Sequence, residues 1–141
     1  MLLIDVNILV YAFRTDATGH AAFRRWLEET ISSESSFGLS DLVLSGFLRI
    51  VTHPRIFDPP TPLENALEFA AALRAQPNCV LIAPGPRHWA IFAALCRAAA
   101  ARGNLIPDAY LAALAIETGS EFISTDRDFN RFPGLLWRPP F

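Results

Sequence analysis

The chain has 141 residues, of which 52% are hydrophobic and 18% are charged, and its formal net charge is −2. These values predict a single globular domain, residues 1–141, with enough apolar residues for a core. No apolar run approaches the roughly 18 residues of a membrane span, and residues 1–5 show no secretion signal, so we expect a cytoplasmic protein. The weak negative charge argues against nucleic-acid binding by bulk attraction alone.

Two residue types narrow the chemistry further. Cys79 and Cys96 lack the spacing of metal or redox motifs and lie in apolar segments, so both are expected in the core. All twelve basic residues are arginines, since the sequence contains no lysine. Site chemistry that depends on a lysine is therefore excluded.

Apolar runs alternate with helical repeats along the chain. The runs predict four strands and a short fifth, at residues 2–6, 37–39, 78–83, 121–124 and 135–137. The repeats and their capping residues predict helices at 8–13, 18–31, 41–52, 62–75, 87–102 and 107–118. Residues 125–130 read as a polar turn. This alternation predicts an α/β fold of three layers, in which a mostly parallel sheet of four to five strands carries helices on both faces.

Three aspartates follow strands or begin helices in this scheme, where ligands bind in open parallel sheets. Asp5 ends the first strand, Asp108 begins a helix, and Asp126 follows the fourth strand. A structural role is an alternative for two of them, since Asp108 could be a helix cap and Asp126 could form an Asx turn. Asp5 differs because a carboxylate placed directly after Leu-Leu-Ile is expected to be buried, where an unpaired charge is costly.

A divalent cation would resolve the repulsion among these carboxylates. No lysine is present to neutralise them, and oxygen ligands favour Mg²⁺, or Mn²⁺ as an alternative. An apolar strand followed by Asp-x-Asn also opens haloacid dehalogenase phosphatases and response-regulator receivers. Both classes generally use a lysine at the phosphoryl site, so the composition counts against them.

The motifs that carry these aspartates resemble those of the PIN-domain family, and within it the VapC toxins of bacterial toxin–antitoxin pairs. The matching segments are Leu-Leu-Ile-Asp5-Val-Asn7, Leu-Ile-Pro-Asp108-Ala-Tyr-Leu-Ala-Ala-Leu-Ala and Ile-Ser-Thr-Asp126-Arg-Asp128-Phe. The resemblance covers essentially the whole chain. It implies a PIN-like fold and an Mg²⁺-dependent endoribonuclease that cuts structured RNA, is held by a VapB-like antitoxin and forms a homodimer.

One position departs from the family pattern. Many PIN nucleases carry a glutamate in the helix after the second strand, and the matching residue here is Gly46. Asp41, in the first turn of that helix, is an alternative source of a carboxylate, although a role in stabilising the helix dipole is slightly favoured.

The resulting hypothesis assigns a role to each polar residue of the site. Asp5 and Asp108 hold one divalent ion directly, Asp126 adds a carboxylate directly or through water, and Asn7 and Thr125 orient water or the scissile phosphate. A water activated by the metal would attack in line, leaving 5′-phosphate and 3′-hydroxyl ends as in similar enzymes. Asp128 is a weaker candidate for the site.

Contacts to RNA and antitoxin are predicted less specifically. Four arginines could contact phosphates and three aromatic residues could stack on bases, although a surface or core role is the ordinary expectation for each: Arg14, Arg49, Arg87, Arg127, Tyr11, Phe13 and Trp89. An amphipathic antitoxin segment is expected between the helices at 18–31 and 41–52.

A domain that binds RNA or a partner but cleaves poorly remains an alternative, because of Gly46. A phosphoacceptor domain with Asp5 as the nucleophile is a second alternative, which the missing lysine disfavours.

Overall fold

A computed structural model describes all residues, 1–141. The chain forms five strands, named β1 (Leu2–Ile4), β2 (Phe37–Ser40), β3 (Cys79–Ile82), β4 (Glu121–Ile123) and β5 (Trp137–Arg138). It also forms six α-helices, named α1 (Val6–Phe13), α2 (His20–Ser32), α3 (Asp41–Val51), α4 (Leu63–Arg74), α5 (His88–Ala98) and α6 (Leu105–Thr118). A 3₁₀ helix, η1 (Arg127–Arg131), follows β4.

The five strands form one sheet in the order β3-β2-β1-β4-β5, and every neighbouring pair is parallel. The prediction of a mostly parallel sheet of four to five strands is therefore confirmed. In the register of β1 and β4, Ile4 lies beside Ile123, which places the residues after both strands at the same edge.

The connections place helices on both faces of the sheet. The chain moves in one direction from β1 to β2 to β3, and the connection from β3 to β4 returns across the sheet. Because such crossovers are right-handed, α1 to α4 cover one face and α5 and α6 cover the other. The helix contacts agree, since α1 packs on α2 and α3, whereas α5 packs on α6. The three-layer α/β architecture is thus confirmed.

The order of strands creates a switch point between β1 and β4. The connection that leaves β1 runs to one side of the sheet, and the one that leaves β4 runs to the other. Loops and helices therefore separate beyond the carboxyl ends of these two strands and leave a crevice, which is where parallel sheets bind ligands.

The core lies between the sheet and the two helical layers. Its largest fully buried side chains include Phe37, Phe47, Phe122 and Phe129. Along α6, buried alanines alternate with leucines, so this helix packs closely against the sheet. Cys79 and Cys96, expected in the core, are only half-buried at its margin.

None of the helices combines the length and the apolar character needed to cross a membrane.

Helix α5 ends earlier than the sequence predicts, at Ala98 instead of residue 102. Ala100 adopts a left-handed conformation with φ of 47°, and the amide of Ala101 donates to the carbonyl of Cys96. These contacts are those of a Schellman ending, in which glycine usually takes the left-handed position. Because alanine takes it here, the sequence gives no sign of the helix end before Gly103.

Helix α6 begins earlier than predicted, at Leu105 instead of Pro107. The proline occupies the third helical position, where a missing N–H group breaks no helical hydrogen bond. Asp108 therefore lies within the first turn and does not cap the helix, so the capping alternative for this residue is wrong.

Three smaller boundaries also differ. Helix α4 begins at Leu63 and not at Pro62, and the hydroxyl of Thr61 accepts a hydrogen bond from Arg14 instead of capping the helix. The predicted polar turn contains η1, and β5 begins two residues later and ends one residue later than expected. Residues in short loops make tertiary contacts that local patterns do not predict.

Candidate active site

Asp5 is buried at the carboxyl end of β1, with 6% of its surface exposed. One carboxylate oxygen accepts from the amide of Val6 at 2.7 Å, and the other accepts from the Ser124 hydroxyl at 2.6 Å and the Asn7 side-chain amide at 3.2 Å. Burial raises the pKa of Asp5, and the hydrogen bonds from Ser124 and Val6 oppose that rise. Hydrogen-bond donors of the chain itself are thus some of the partners that this buried carboxylate was expected to need.

Ser124 links the ends of β1 and β4 and is fully buried. Its hydroxyl donates to Asp5 and accepts from the Asn7 side chain at 3.1 Å and from the backbone amide of Asp126 at 3.0 Å. Ser124 was not among the residues predicted for the site. The register of β1 and β4 places it beside Asp5, and local sequence patterns do not reveal which strands pair.

Both the nitrogen and the oxygen of the Asn7 side-chain amide form hydrogen bonds in this network. Besides its two donated bonds, its carbonyl oxygen accepts from the backbone amide of Thr125 at 3.4 Å. The Thr125 residue also lines a separate hollow. Asn7 and Thr125 therefore hold the two strand ends together, and the prediction that they orient water or phosphate remains a hypothesis.

Asp126 combines a structural contact with an open carboxylate oxygen. One of its oxygens accepts from the backbone amide of Asp128 at 2.9 Å and so caps η1, as the Asx-turn alternative anticipated. The other oxygen accepts no hydrogen bond within the chain. Asp128 is exposed and forms a 3.8 Å ion pair with Arg131.

Asp108 is the carboxylate whose charge is least compensated. It is half-buried in the first turn of α6, and its side chain makes no hydrogen bond or ion pair. Burial raises its pKa to about 6, with further contributions from the negative charges of Asp5, Asp126 and Asp128. The negative charges of these three residues thus act on Asp108, and Asp126 and Asp128 line the same cavity as Asp108.

Three of these aspartates open onto a polar cavity of about 770 Å³. Asp108, Asp126 and Asp128 line it together with Arg102 and Arg131. Asp5 is not among the lining residues and is buried in the network of Ser124. The cavity is therefore lined by both acidic and cationic side chains.

Asp41 is not drawn into this cluster. Its carboxylate forms an ion pair with Arg74 of α4, on the exposed surface where α3 begins. It also lies in the first turn of α3, where a negative charge favours the helix dipole.

Gly46 marks a close approach of α3 and α1. A Cβ added at this position would lie 3.0 Å from a methyl carbon of Val6, the residue after Asp5. A glutamate side chain at position 46 would therefore require Val6 to move. The structure thus contains no carboxylate at the position of the family glutamate, and α1 packs there instead.

Two of the four arginines suggested for phosphate contact are committed to the protein itself. Arg14 pairs with Asp16 and stacks over the ring of Phe57, and Arg87 donates to the backbone carbonyl of Glu117. Arg127 is exposed and has no ion-pair partner. Arg49 is likewise exposed and has no ion-pair partner.

No three acidic, His or Cys side chains are arranged in this structure so that they could hold a metal ion. The carboxylate oxygens of Asp5, Asp108 and Asp126 are nevertheless of the kind that Mg²⁺ prefers as ligands. Burial raises the pKa of Asp108, and the neighbouring negative charges contribute to that rise. Mg²⁺ characteristically binds through one or two carboxylates and keeps several waters, so it does not need a closed cage.

An apolar groove lies elsewhere, between α2 and α4, and α3 does not line it. Phe13 forms its floor, with Leu27 and Ile31 on one side and Phe69 and Leu73 on the other. Such a groove was predicted between α2 and α3. The groove is instead found between α2 and α4, and α1 contacts both α2 and α3.

Comparisons with known proteins agree with this fold. The family model described as PIN domain matches residues 2–135. The chain is 45% identical over 140 residues to the ribonuclease VapC43 of Mycobacterium tuberculosis, covering 99% of this chain and 95% of that protein. Among solved structures, VapBC2 from Rickettsia felis bound to a promoter DNA fragment has a TM-score of 0.73 at 17% identity, covering 98% and 97% of the two chains. A toxin–antitoxin complex from Klebsiella pneumoniae has a TM-score of 0.61 at 20% identity, covering 100% and 98%.

Proposed function

This chain belongs to the PIN-domain family, and from that premise we propose that it is a metal-dependent endoribonuclease, the toxin of a VapBC-type pair. The observation that carries the proposal is the cluster of Asp5, Asp108 and Asp126 at the switch point of the sheet, where the negative charge of Asp108 is uncompensated. The relative named as a ribonuclease supports the substrate class. We place the activity in the cytoplasm, where structured RNAs such as tRNA and rRNA are the substrates.

In this proposal the three carboxylates differ in how many of their oxygen positions are free to bind the cation. The hydrogen bonds from Ser124, Asn7 and Val6 fix the orientation of Asp5, leaving about one of the four lone-pair positions of its carboxylate open. Asp126 offers one free oxygen and Asp108 offers two. These three residues would hold Mg²⁺, or Mn²⁺ in its place, while Asp128 is a peripheral carboxylate that pairs with Arg131.

The cation, when bound, supplies Lewis acidity that activates water and polarises the scissile phosphoryl group. The chain supplies the rest of the site. Asp108 must be deprotonated to act as a ligand, and because its pKa is raised to about 6, cation binding releases a proton from this carboxyl when the pH is near or below 6. Arg102 and Arg131 stand where they can contact phosphates of the strand. Hydrolysis by in-line attack leaves 5′-phosphate and 3′-hydroxyl ends.

The experiment that tests this function is cleavage of total tRNA and ribosomal RNA by the purified protein. We expect discrete fragments with 5′-phosphate ends in Mg²⁺ or Mn²⁺, none in EDTA, and none from Asp5→Asn. Asp16→Asn is the matched control, because that aspartate is exposed and paired with Arg14 away from the site. Cutting that continues in EDTA, or in Asp5→Asn, would contradict the mechanism.

A second candidate function is supported by Gly46, which leaves the cluster one carboxylate short of the family pattern. In that case the chain is a catalytically weak PIN domain that binds RNA or a protein partner. RNA would then be bound but not cut, and Asp5→Asn would leave the affinity for RNA unchanged. The cleavage and binding assays together separate the two candidates.

We also propose that the α2/α4 groove receives the antitoxin. Its apolar lining, bordered by the charged residues Arg24 and Glu28, suits an amphipathic segment of a VapB-like protein. The neighbouring toxin–antitoxin complex supports a partner of this kind. Coexpression with a VapB-like antitoxin should give a complex that Ala72→Glu, at an exposed position of the groove, disrupts, and unchanged complex formation would rule out the groove.

A homodimer completes the proposal. Trp89 and Leu136 are 73% and 66% exposed, and we propose them as contacts between the two copies. Light scattering on the purified toxin would measure the mass directly, and a monomer at all concentrations would refute this state.

A further inference from the structure

A hollow of about 440 Å³ is lined in part by residues that alternate along the chain with those of the acidic cavity. Its walls include the aromatic rings of Phe23, Trp137 and Phe141, and its polar lining includes Thr125, Arg127 and Asn130. We call it the aromatic hollow. Its volume is in the range of pockets that bind small molecules. Because Thr125 directly precedes Asp126, the aromatic hollow and the acidic cavity adjoin each other along the chain.

The aromatic hollow is tied to the same residue that organises the carboxylates. The indole nitrogen of Trp137 donates to the backbone carbonyl of Ser124 at 3.1 Å, and the hydroxyl of Ser124 donates to Asp5. The position of the indole is therefore fixed relative to the carboxylates by two hydrogen bonds through one residue. A group bound against Trp137 would be held at a defined place relative to the acidic cavity.

The opposite wall is a stack of aromatic rings. The ring centroid of Phe23 lies 4.9 Å from that of Tyr11 and 5.0 Å from that of Phe141. Tyr11 and Phe23 belong to packed helices, so this wall has a firm base. Phe141 remains 67% exposed, so its ring has a free surface.

The polar side chains of the aromatic hollow are unpaired. Together with the aromatic rings, they indicate a ligand that has both a flat ring and a negative charge. Arg127 is exposed and makes no ion pair, and Asn130 is exposed and makes no side-chain hydrogen bond. Aromatic rings, a guanidinium and an amide are the groups with which proteins bind unpaired bases of RNA. The α2/α4 groove is instead lined mainly by apolar side chains.

We propose that the aromatic hollow binds an unpaired nucleobase of the RNA strand, from a nucleotide that flanks the scissile phosphate. This inference rests on the proposed ribonuclease function and gives it a determinant of substrate choice. The base stacks on Phe141 and lies against Trp137, Asn130 hydrogen-bonds its edge, and Arg127 contacts the adjoining phosphate. Recognition of this kind selects loops and single strands, because a paired base cannot enter.

The test measures binding without cleavage, in the Asp108→Asn background with Mg²⁺ present. The probe is an RNA hairpin with an unpaired loop, together with versions that carry one abasic nucleotide at successive loop positions. We expect Phe141→Ser and Arg127→Gln each to weaken binding of the intact hairpin, by about tenfold for the stacking residue. Ile56→Ser is the control, since it removes an exposed large apolar side chain that lines neither the aromatic hollow nor the acidic cavity.

The abasic probes distinguish base recognition from a general loss of affinity. One abasic position should weaken binding to the parent protein by a similar factor and should have no further effect on Phe141→Ser. In a Trp26→Phe, Trp89→Phe protein, the same RNA should quench the fluorescence of Trp137. Equal affinity of Phe141→Ser and its parent, or equal sensitivity of both to every abasic position, would overturn the nucleobase site. A failure of every protein to bind RNA would instead overturn the ribonuclease proposal and this inference with it.

Discussion

The two ends of helix α6 each carry a carboxylate, and their surroundings move the two pKa values in opposite directions. Asp108, in the first turn, accepts no hydrogen bond, and burial and neighbouring aspartates raise its pKa to about 6. Glu117, in the last turn, accepts from the backbone amides of Gly85 and Arg87 at 2.7 and 2.9 Å, and these bonds lower its pKa. The helix dipole would favour a negative charge at the first position and disfavour it at the second.

Local donors and charges therefore outweigh the dipole at both ends of α6. The loop at Gly85 fits closely around the Glu117 carboxylate, since a Cβ at Gly85 would lie 2.8 Å from one of its oxygens. A carboxylate with all its donors in place stabilises the structure. One left among like charges, at the open edge of a parallel sheet, is available to bind a cation.

The largest effect should come from neutralising each carboxylate in turn and measuring RNA cleavage. We expect Asp108→Asn to lower cleavage by two to three orders of magnitude, about the loss seen when one electrostatic group of an active site is removed. Glu117→Gln should cleave at the wild-type rate at a temperature where it is folded. Equal losses in the two variants would show that the contrast between the ends of α6 has no functional meaning.

Removing the donor from Asp5 tests whether its hydrogen bonds maintain the site. Ser124→Ala eliminates the bond to the Asp5 carboxylate and leaves the buried amide of Asp126 without its acceptor. A buried unsatisfied group of this kind costs about 1–3 kcal/mol, so urea denaturation should show a loss in that range. Ser45→Ala, at an exposed position of α3, is the control. An unchanged free energy of unfolding would mean that water replaces the hydroxyl.

The raised pKa of Asp108 predicts a penalty for the metal-free protein. Because its pKa in the folded state, about 6, exceeds the ordinary aspartate value of 3.8, the folded chain binds this proton more tightly. The resulting stabilisation is present below about pH 4 and is lost as the pH rises through 6. A shift of this size corresponds to roughly 3 kcal/mol, and we expect about half of it because the group is half exposed.

Asp108→Asn in EDTA should therefore be more stable than wild type by about 1–2 kcal/mol at pH 8 and equal to it near pH 4. Mg²⁺ should stabilise wild type more than the variant. A variant less stable than wild type at pH 8 would show that Asp108 is already compensated. For Glu117→Gln the sign is opposite, since its lowered pKa gives stability above about pH 4.5 that is lost on acidification.

The smallest effect is expected at Gly46. Alanine at this position gains up to about 1 kcal/mol in helix propensity but crowds Val6, so Gly46→Ala should change the free energy of unfolding by less than about 1 kcal/mol. Gly46→Glu should be less stable, and combining it with Val6→Ala should recover part of the loss. Stability of Gly46→Glu equal to wild type would show that the site readily accepts a fifth carboxylate.

Much of the fold followed from local patterns. Apolar runs located the five strands, and amphipathic repeats located the six helices, with errors mainly at the ends of α5 and the start of α6. Those errors arose where an alanine adopted a left-handed conformation at the end of α5 and where a proline lay inside the first turn of α6. Neither residue type is a usual sign of a helix end or of a helix that has already begun.

The candidate site was foreseen less completely. Asp5, Asp108 and Asp126 were selected because they follow strands or begin helices, and the structure brings them together. Ser124 was missed and the α2/α4 groove was misplaced, because both depend on which elements become neighbours. The aromatic hollow joins residues from α2, η1 and the segment that follows β5, which no local pattern connects.

By itself, the sequence determined the class of fold, the aspartates at its strand ends and the absence of a lysine to neutralise them. These properties depend on residue type and on spacing along the chain, which local patterns report. Only the tertiary structure decided that Ser124 supports Asp5, that α1 occupies the space beside Gly46, and that Asp108 lies close enough to other charges to hold its proton up to about pH 6. Burial and repulsion depend on distances between segments far apart in the chain, and those distances exist only once the sheet has formed.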